Sequence, residues 1–585
     1  MSVSSVSAVL TELVLSAAEV AGFDRALVAP EAAVPTQNAA HGDYQSNHAF
    51  RVAKALRRNP KEVAAAVHAA LLAGPGAGAV FTGVEVAGPG FLNFRLADAF
   101  LAAKLAETAG DSAGGIGQDG VGRTVVIDYS SPNVAKRMHV GHMRSTLIGN
   151  ALHRLHAAAG WSVVADNHIG DWGTQYGKLL VGWKRWRDES AFAADAIGEL
   201  ERLYVRFGDL ATAELEDEAR AETARLQAGD AENLALWERF VQVSLAEFDR
   251  VYARLGVRFD VTLGESFYNP WLGAVVARAL DTGVAAESEG AVVVRFAEDH
   301  ADRALANTVL VIRKKDGAAL YGTTDLATLD YRRQTWSPDK VLYVTDKRQQ
   351  LHFKQVFAAW SALEAAAGRA AGPALLHCWF GTLNLPEGAM STRAGNVIRL
   401  VDLLDEAVRR ARAIVDEKSA ALPEAERAAV AEAVGTAAVR YADLSQNPQS
   451  DVIFEWDRML SFDGNTAPYL IYSHARLCSV ERKAAEAGIV AAAEPALDTP
   501  ESRALALLAL RTPAAFAAAL DNLRPNILAD HLFELANAAN RWYYEVPVLG
   551  AAPEQRAGRL ALAVAARRML AVGFGGLGLP ALERM

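Results

Sequence analysis

A strand-like segment, a polar turn and a helix-like segment follow one another directly between residues 124 and 155. Residues 124–129 form the short apolar, β-branched run expected of a buried parallel strand. Ile148, Leu152 and Leu155 then recur at spacings of four and three, which places them on one face of a helix. A strand, a turn and a helix make the first half of a β-α-β unit. The segment therefore predicts a parallel sheet with this turn at its carboxyl edge.

The turn carries two histidines, His139 and His142, on either side of Gly141. The first turn of a helix leaves backbone N–H groups unpaired and carries partial positive charge, so it attracts phosphate. Gly141 lets a phosphate approach the backbone, and both imidazoles can donate to phosphate oxygens whose charge grows during attack at the α-phosphorus. The turn predicts a site for the phosphates of ATP. A simpler alternative, in which the histidines only cap the helix or lie at the surface, stays open at this point.

Length, composition and charge narrow the class of protein. With 585 residues, 51% of them hydrophobic, the chain is expected to be globular with about three or four domains. The net charge of −10 argues against nonspecific coating of nucleic acid, and no DNA partner is expected, although local basic patches can still hold a shaped RNA.

Cys378 and Cys478 are too few for a disulfide framework and too far apart for a zinc site. Since no apolar run reaches about 18 residues and residues 1–21 lack the basic region of a signal peptide, we expect a cytoplasmic protein without a membrane partner.

Residues 1–108 are expected to form a separate α+β domain. Asn59, Pro60 and Glu62 supply the cap, the first-turn proline and the capping-box acid of a helix. The predicted elements are a helix at 59–72, strands at 80–86 and 91–96, and a glycine-rich linker at 109–122.

Residues 123–400 alternate buried strands with helices, which predicts an α/β domain with a doubly wound, Rossmann-like parallel sheet. A charged segment at about 181–305 is expected to be a helical insertion between the halves of the sheet. The candidate strands are 124–129, 161–165, 341–344 and 375–383, with a hairpin of strands 308–314 and 318–321 around Asp316 and Gly317.

Residues 401–585 are expected to be almost entirely helical. Apolar residues recur at helical spacing over 505–520, 526–544 and 555–572, although Pro513 is expected to kink or divide the first of these helices. The region therefore predicts an α-bundle, which we place from about residue 466.

The segment 130–142 closely resembles the first signature of class I aminoacyl-tRNA synthetases in its arginyl form. The resemblance extends over essentially the whole chain from about residue 41. Further segments that are similar to the arginyl family are 41–47, 88–94, 166–175, 321–326, 348–352 and 463–476. The resemblance implies an N-terminal domain that contacts the tRNA elbow, a catalytic domain, and a C-terminal bundle that binds the anticodon stem and loop.

An arginine substrate needs planar, paired acceptors, because its guanidinium carries five N–H donors in a rigid fork. Buried carboxylates would also reject uncharged substrates, since an unpaired buried charge is costly. By resemblance, the arginine side chain is held by Tyr321, Asp325 and Gln349. Its α-amino and carboxylate end is held by Ser131 and Asn133, and Asp128 supplies further negative charge.

The second class I signature normally carries two lysines that stabilise the pyrophosphate leaving group. In the matching stretch of this chain, Met390, Ser391 and Arg393 stand without either lysine. In the arginyl family Lys136, just before His139, is thought to supply the missing charge. We leave open whether Lys136 or Arg393 replaces the lysines, and we expect loss of a positioned cation to be costly in rate.

Four residues are candidates for contact with tRNA. By resemblance, Phe91 stacks on an unpaired base of the elbow and Asn93 bonds to its edge. Arg476 and Trp542 lie in the anticodon-binding region, where aromatic rings can stack on splayed bases. A place in the hydrophobic core is the alternative for Phe91 and for at least one of residues 542–544.

The resemblance implies an arginine-tRNA ligase. Its substrates are L-arginine, ATP accompanied by Mg²⁺ without a dedicated protein metal site, and tRNA(Arg), and activation is expected to require tRNA. A monomer is expected. The alternatives are a small-molecule nucleotidyltransferase with the same histidine turn and a catalytically inactive RNA-binding relative. A cysteine synthetase would need a metal site for its thiol substrate, and the sequence offers none.

Overall fold

The computed structural model divides into two compact units, one formed by residues 1–118 and 462–585 and the other by 119–461. The first unit therefore contains both ends of the chain, and residues 401–461 belong to the second unit. The structure describes residues 4–28, 33–36, 38–74, 76–369, 372–385, 388–389, 398–453, 455, 457 and 464–585.

The N-terminal part of the first unit packs helices on an antiparallel sheet in the order β1-β2-β4-β3. The predicted helix and both predicted strands are present, and the side chain of Asn59 caps the helix as expected. The elements are α1 Val6–Val20, α2 Arg25–Val28, β1 Val34–Pro35, β2 Tyr44–Ser46, α3 His48–Leu56, α4 Pro60–Ala73, α5 Ala77–Val80, β3 Phe81–Ala87, β4 Phe91–Leu96 and α6 Asp98–Gly110.

The second unit is built on a five-stranded parallel sheet in the order β12-β11-β5-β6-β7, which confirms the predicted α/β class. Its elements as far as α12 are β5 Thr124–Asp128, α7 Val140–Ala158, β6 Ser162–Asn167, α8 Gln175–Trp186, α9 Glu189–Ala194, α10 Ala196–Asp209, α11 Ala213–Gln227 and α12 Ala231–Leu255. Those that follow are β7 Val261–Thr262, α13 Asn269–Asp281, β8 Ala286–Ser288, β9 Ala291–Arg295, β10 Val309–Arg313, α14 Tyr321–Trp336, β11 Lys340–Tyr343, α15 Gln350–Ala366, β12 Ala374–His377, β13 Leu383–Leu385, β14 Gly388–Ala389, α16 Leu400–Lys418, α17 Glu424–Leu444 and β15 Val452–Ile453.

The chain reverses its direction across the sheet at β5. From β5 it proceeds outward through β6 and β7, and it then returns to form β11 on the other side of β5. Ligands of doubly wound sheets bind beyond the carboxyl ends of the strands at such a switch point. The turn with the two histidines follows β5 and therefore lies at this crevice.

Two predictions for the middle of the chain are wrong in detail. The insertion at 181–305 is not wholly helical, because β7 joins the parallel sheet and β8 and β9 form an antiparallel sheet with β10. The turn at Asp316 and Gly317 is present, but its second arm forms only an isolated bridge between Arg313 and Ala319. The strand predicted at 318–321 is therefore not formed, and Tyr321 begins helix α14.

The C-terminal part of the first unit is the predicted α-bundle. Its helices are α18 Ala467–Glu486, α19 Pro500–Asp521, α20 Pro525–Glu545 and α21 Pro553–Leu577. Pro513 does not divide α19, which runs unbroken past it. By length and hydropathy α19 and α21 could cross a membrane, contrary to the expectation from apolar runs, but buried core helices meet the same criteria.

Candidate active site at the switch point of the parallel sheet

The loop after β5 is held in a strained conformation. Ser130, Ser131 and Ala135 have positive φ angles of 73°, 48° and 60°, a backbone region that costs non-glycine residues on the order of 1–3 kcal/mol each. Neighbouring elements fix the loop through backbone hydrogen bonds. Its bonds are Ser130 N–H to Ser145 Oγ at 2.9 Å, Ser131 N–H to Asn167 Oδ1 at 3.1 Å, Val134 N–H to Gly170 O at 3.2 Å and Ala135 N–H to Ser244 Oγ at 2.8 Å.

The two histidines cap α7 reciprocally. The N–H of Gly141 donates to His139 Nδ1 at 3.0 Å, and the N–H of His139 donates to His142 Nδ1 at 3.2 Å. The imidazoles stack with their centroids 3.9 Å apart. A Cβ at position 141 would lie 2.7 Å from the ring of His139, so glycine is required there by the histidine itself. Capping and phosphate binding are therefore compatible, because capping uses only the Nδ1 atoms.

Both histidines are neutral donors at physiological pH. Burial, then the charges of His139 and Lys136, lower the pKa of His142 to about 3, and burial followed by the charge of Lys136 lowers the pKa of His139. A neutral imidazole whose Nδ1 accepts a hydrogen bond carries its proton on Nε2. Each ring therefore offers an Nε2–H group to an oxygen anion without having to take up a proton.

After the second signature, the described chain resumes beside the histidines. Met390, Ser391 and Arg393 lie outside the described residues. The next described residue is Ile398, whose carbonyl accepts from Val140 N–H at 3.1 Å, and the N–H of Leu400 donates to Met138 O at 3.0 Å.

Asp128, which is predicted to supply negative charge for the substrate, forms an ion pair with Arg332 of the same chain. Arg332 is fully buried in α14, and its Nη2 donates to Asp128 at 2.6 Å and to Asp166 at 2.7 Å. Ser131 Oγ donates to the other oxygen of Asp128 at 3.1 Å. Asp128 thus links β5 to α14 and orients Ser131, in addition to any contact it makes with a substrate.

The opening of α14 presents the predicted acceptors of a guanidinium. Asp325 lies one turn into the helix and accepts from His352 Nε2 at 2.5 Å. Burial lowers the pKa of His352, but the hydrogen bond and charge of Asp325 outweigh it and raise that pKa overall. Tyr321, 69% exposed, lies at the start of α14, and Gln349 is exposed at the start of α15.

Glu265 is a further candidate that the sequence prediction missed. Burial, then the charges of Asp171 and Asp325, raise its pKa to about 8. The charge of Glu265 in turn contributes, after burial, to raising the pKa of Tyr321. Glu265 follows β7, a two-residue strand inside the segment that was predicted to be helical, so its place at the sheet edge was not visible. A carboxylate of this kind, surrounded by other carboxylates, is a favourable site for a cationic ligand.

Asn133 lies across from Gly170 at the same edge. The two residues form a bridge, and a Cβ at position 170 would lie 2.1 Å from Asn133 Oδ1. The absence of a side chain at Gly170 therefore allows the loops after β5 and β6 to approach each other. Of the residues predicted to bind arginine, Asp128 ends β5, Ser131 and Asn133 follow it, Tyr321 and Asp325 lie at the start of α14, and Gln349 follows β11. Their convergence on one arginine remains a prediction.

The predicted elbow contacts lie on β4 of the first unit. Phe91 is half-buried and packs edge-on against Phe50 at 4.9 Å between centroids. Asn93 is buried, and its Oδ1 accepts from Gln45 at 2.8 Å. Phe91 keeps part of its ring accessible, whereas Asn93 already uses its acceptor.

Trp542, predicted to contact tRNA, is instead a core residue. Its side chain is fully buried and its indole N–H donates to Ser502 at 3.0 Å. On a helix, consecutive residues point in different directions, and the two following tyrosines remain exposed. Tyr543 and Tyr544, together with Tyr472 of α18, surround Arg476, whose guanidinium lies 4.6–4.9 Å from the three ring centroids. We call this group the tyrosine cluster.

A parallel sheet with a histidine turn at its switch point, joined to a helical C-terminal bundle, is the architecture of a class I aminoacyl-tRNA synthetase. The family described as tRNA synthetases class I (R), catalytic domain, matches residues 114–456, the DALR anticodon binding domain matches 470–585, and the arginyl tRNA synthetase N terminal domain matches 4–96. The chain belongs to the arginyl-tRNA synthetase family.

Curated relatives and solved structures agree with this membership. The chain is 43% identical to the arginine–tRNA ligase of Fusobacterium nucleatum subsp. nucleatum, covering 93% of each chain, and 40% identical to that of Pseudomonas syringae pv. syringae, covering 94% and 95%. The arginyl-tRNA synthetase structure of Thermus thermophilus matches with a TM-score of 0.79 at 25% identity over 99% of this chain and 100% of that chain. The structure from Plasmodium falciparum has a similar fold, with a TM-score of 0.80 at 23% identity over the full length of both chains.

Proposed function

We propose that this chain joins L-arginine to tRNA(Arg) at the expense of ATP. The observation that carries the proposal is the juxtaposition, at one sheet edge, of neutral imidazole donors and a group of carboxylates that includes Asp325 and Glu265. The donors suit phosphate oxygens, and the carboxylates suit a guanidinium. The family to which the chain belongs catalyses this class of reaction.

In the first step, a carboxylate oxygen of arginine attacks the α-phosphorus of ATP in line. The bond from that phosphorus to the bridging oxygen breaks, and pyrophosphate leaves with the electron pair. His139 and His142 stabilise the charge on the phosphate oxygens through their Nε2–H groups, and Lys136 adds a positive charge. Such preorganised donors need no proton transfer, which fits the low pKa of His142.

In the second step, a hydroxyl of the terminal ribose of tRNA attacks the carbonyl carbon of arginyl-adenylate. The bond to the phosphate oxygen breaks, the hydroxyl proton passes to an oxygen of the departing phosphate, and AMP is released. Since the imidazole and ammonium groups of the site suit phosphate oxygens rather than a cation, Mg²⁺ is proposed to arrive bound to ATP, whose negative charge it neutralises.

Selection of arginine rests on charge and on planar geometry. Tyr321, Asp325, Gln349 and Glu265 are proposed to receive the guanidinium, and Ser131 and Asn133 the α-amino and carboxylate end. His352 donates a hydrogen bond to Asp325 in the structure. A neutral amino acid of similar length would gain no charge-assisted hydrogen bond from Asp325 or Glu265, which gives selection without an editing step.

Two surfaces of the first unit are proposed to bind tRNA. Phe91 is proposed to contact the elbow together with Asn93, two residues further along β4, and the tyrosine cluster around Arg476 to stack on bases of the anticodon loop. Activation is proposed to require tRNA. The protein is proposed to act as a monomer in the cytoplasm, with domains at 1–108, 123–400 and 401–585.

The decisive test is ATP-pyrophosphate exchange with each of the twenty amino acids, with total tRNA present or absent. Exchange with arginine alone, and only when tRNA is added, is expected. Exchange without tRNA would remove the tRNA requirement. Turnover that survives deletion of residues 466–585 would indicate a small-molecule nucleotidyltransferase, whereas RNA binding without any exchange would indicate an inactive relative.

The variants Lys136→Ala and Arg393→Ala separate the two candidates for the missing lysines. We expect Lys136→Ala to lower turnover by roughly 10²-fold or more, the scale of removing one charge stabiliser. A wild-type rate for that variant, with a large loss for Arg393→Ala, would assign the charge to Arg393.

A further inference from the structure

Helix α10 of the insertion packs against the turn that precedes His139. The backbone N–H of Arg137 donates to Glu201 Oε1 at 2.8 Å, and the guanidinium of Arg137 is paired with Asp195, which caps α10. One turn further along the same helix, the ring of Tyr204 lies under the ammonium of Lys136, 4.8 Å from Nζ to the ring centroid. Glu201 and Tyr204 are three residues apart and share a face of α10.

The chemical group that contacts the ammonium of Lys136 decides whether its positive charge is kept. A carboxylate in contact with the ammonium would cancel the positive charge that the reaction requires. An aromatic face attracts a cation through its quadrupole and leaves the net charge in place. Tyr204 can therefore hold a long, flexible side chain in one position without neutralising it.

The charge of Lys136 acts on the two histidines that are proposed to contact the phosphates. Its charge contributes to lowering the pKa of both His139 and His142, after the larger effect of burial. The side chains of Lys136 and Tyr204 are each half-buried, so water screens their contact only in part.

We propose that Tyr204 is a positioning residue that holds the ammonium of Lys136 over its ring, directed at the phosphates of ATP. This inference rests on the proposed function, and on the part of it that gives Lys136 a role in the reaction. The insertion would then contribute to the first step, because α10 carries Tyr204 and also Glu201, whose carboxylate accepts the backbone N–H of Arg137.

The test compares Tyr204→Phe and Tyr204→Leu in ATP-pyrophosphate exchange with arginine and tRNA. Phenylalanine retains the aromatic face and is expected to keep the rate within about twofold. Leucine fills the space without a quadrupole and is expected to lower kcat by about fivefold while the KM for arginine stays unchanged. Equal rates for the two variants would overturn the proposal.

A double-mutant cycle with Lys136→Ala separates positioning from a general effect on folding. Tyr204→Leu is expected to have no further effect on kcat when Lys136 is already alanine. The same fivefold loss in both backgrounds would show that Tyr204 only supports α10, and would overturn the proposal. The proposed function itself would be contradicted by a different result, the absence of arginine-dependent exchange in the wild-type protein.

Discussion

Arg503 and Asp43, which lie 460 residues apart, form a two-bond ion pair in the first unit. Nη1 donates to Oδ1 at 2.8 Å and Nη2 to Oδ2 at 2.7 Å. Arg503 also donates to Asp98 at 2.7 Å and to the carbonyl of Leu96 at 2.9 Å. Burial raises the pKa of Asp43, but the bonds from Arg503 and from the N–H of Leu96 outweigh it and lower that pKa overall. The pair joins the N-terminal sheet to helix α19 of the bundle.

Removing one member of this pair is expected to destabilise the first unit. Arg503→Met leaves Asp43, which is 7% exposed, without its cation and is expected to cost about 3–5 kcal/mol. Urea unfolding measures the loss. Arg25→Met, at an exposed pair with Glu12, is the control and is expected to change stability by less than about 1 kcal/mol. Equal effects at both sites would contradict a structural role for Arg503.

Substitution of Asp325 is expected to impair the use of arginine. Asp325→Asn keeps the shape but removes the charge, and kcat/KM for arginine is expected to fall by about 10²-fold or more. The exchange assay measures this ratio with tRNA at saturation. Asp299→Asn removes an exposed charge in the same unit and is expected to have no effect. A normal KM for arginine in the Asp325 variant would exclude this residue from the binding site.

Arginine binding is expected to tighten as the pH rises towards 8. In the empty site the raised pKa of Glu265, about 8, keeps its carboxyl largely protonated at lower pH. A guanidinium favours the ionised form, so binding releases a proton, and affinity increases by up to about tenfold per pH unit below that pKa. Titration of arginine between pH 6 and 9 measures the slope, and Glu265→Gln is expected to reduce it. His352 contributes in both proteins, so identical slopes would contradict the assignment to Glu265.

The same shift predicts an effect on stability. The folded protein binds more protons than the unfolded chain between pH 4.5, the ordinary pKa of this group, and about 8. The contribution of Glu265 to stability therefore falls as the pH rises through this window. Glu265→Gln is expected to raise the unfolding midpoint relative to the wild type at pH 8 and to leave it nearly unchanged at pH 5.

His142 caps α7 and is also proposed to contact phosphate, and a single substitution can separate these two roles. His142→Asn can place a carboxamide oxygen near the position of Nδ1, keeping an acceptor for the N–H of His139 but losing the Nε2–H donor. We expect exchange to fall by about 10²–10³-fold with little change in stability. Because the pKa of His142 is lowered to about 3, its titration is not expected to affect the wild-type rate between pH 6 and 8. A rate loss that only follows unfolding would assign His142 to capping alone.

The aromatic residues at the end of α20 are expected to act differently. Tyr544 is 72% exposed, and Tyr544→Ala is expected to raise the KM for tRNA about tenfold without changing stability, since one stacked base contributes about 1–3 kcal/mol. Trp542→Ala removes a buried ring and is expected to cost about 3–5 kcal/mol of stability. Aminoacylation and thermal unfolding distinguish the two results. An unchanged KM for tRNA in the Tyr544 variant would exclude this tyrosine from the tRNA interface.

Local patterns predicted the main elements where the chain offers them without ambiguity. Strands β5 and β11 are mostly buried and apolar, β6 contains the apolar run 163–165, and the bundle helices carry clear apolar faces. β7 has only two residues, and β8 has three, so neither offers enough alternation to be recognised inside a charged segment. Missing β7 also concealed Glu265, which follows it.

The sequence by itself determined the class of fold and the location of the site. A strand, a histidine turn and a helix are contiguous, and polar segments after parallel strands must meet at one sheet edge. Only the tertiary structure decided which charges and rings are available there. Arg332 engages Asp128, Trp542 enters the core, and Tyr204 reaches Lys136. Burial and ion pairing depend on residues that are distant in the chain, and no local pattern carries that information.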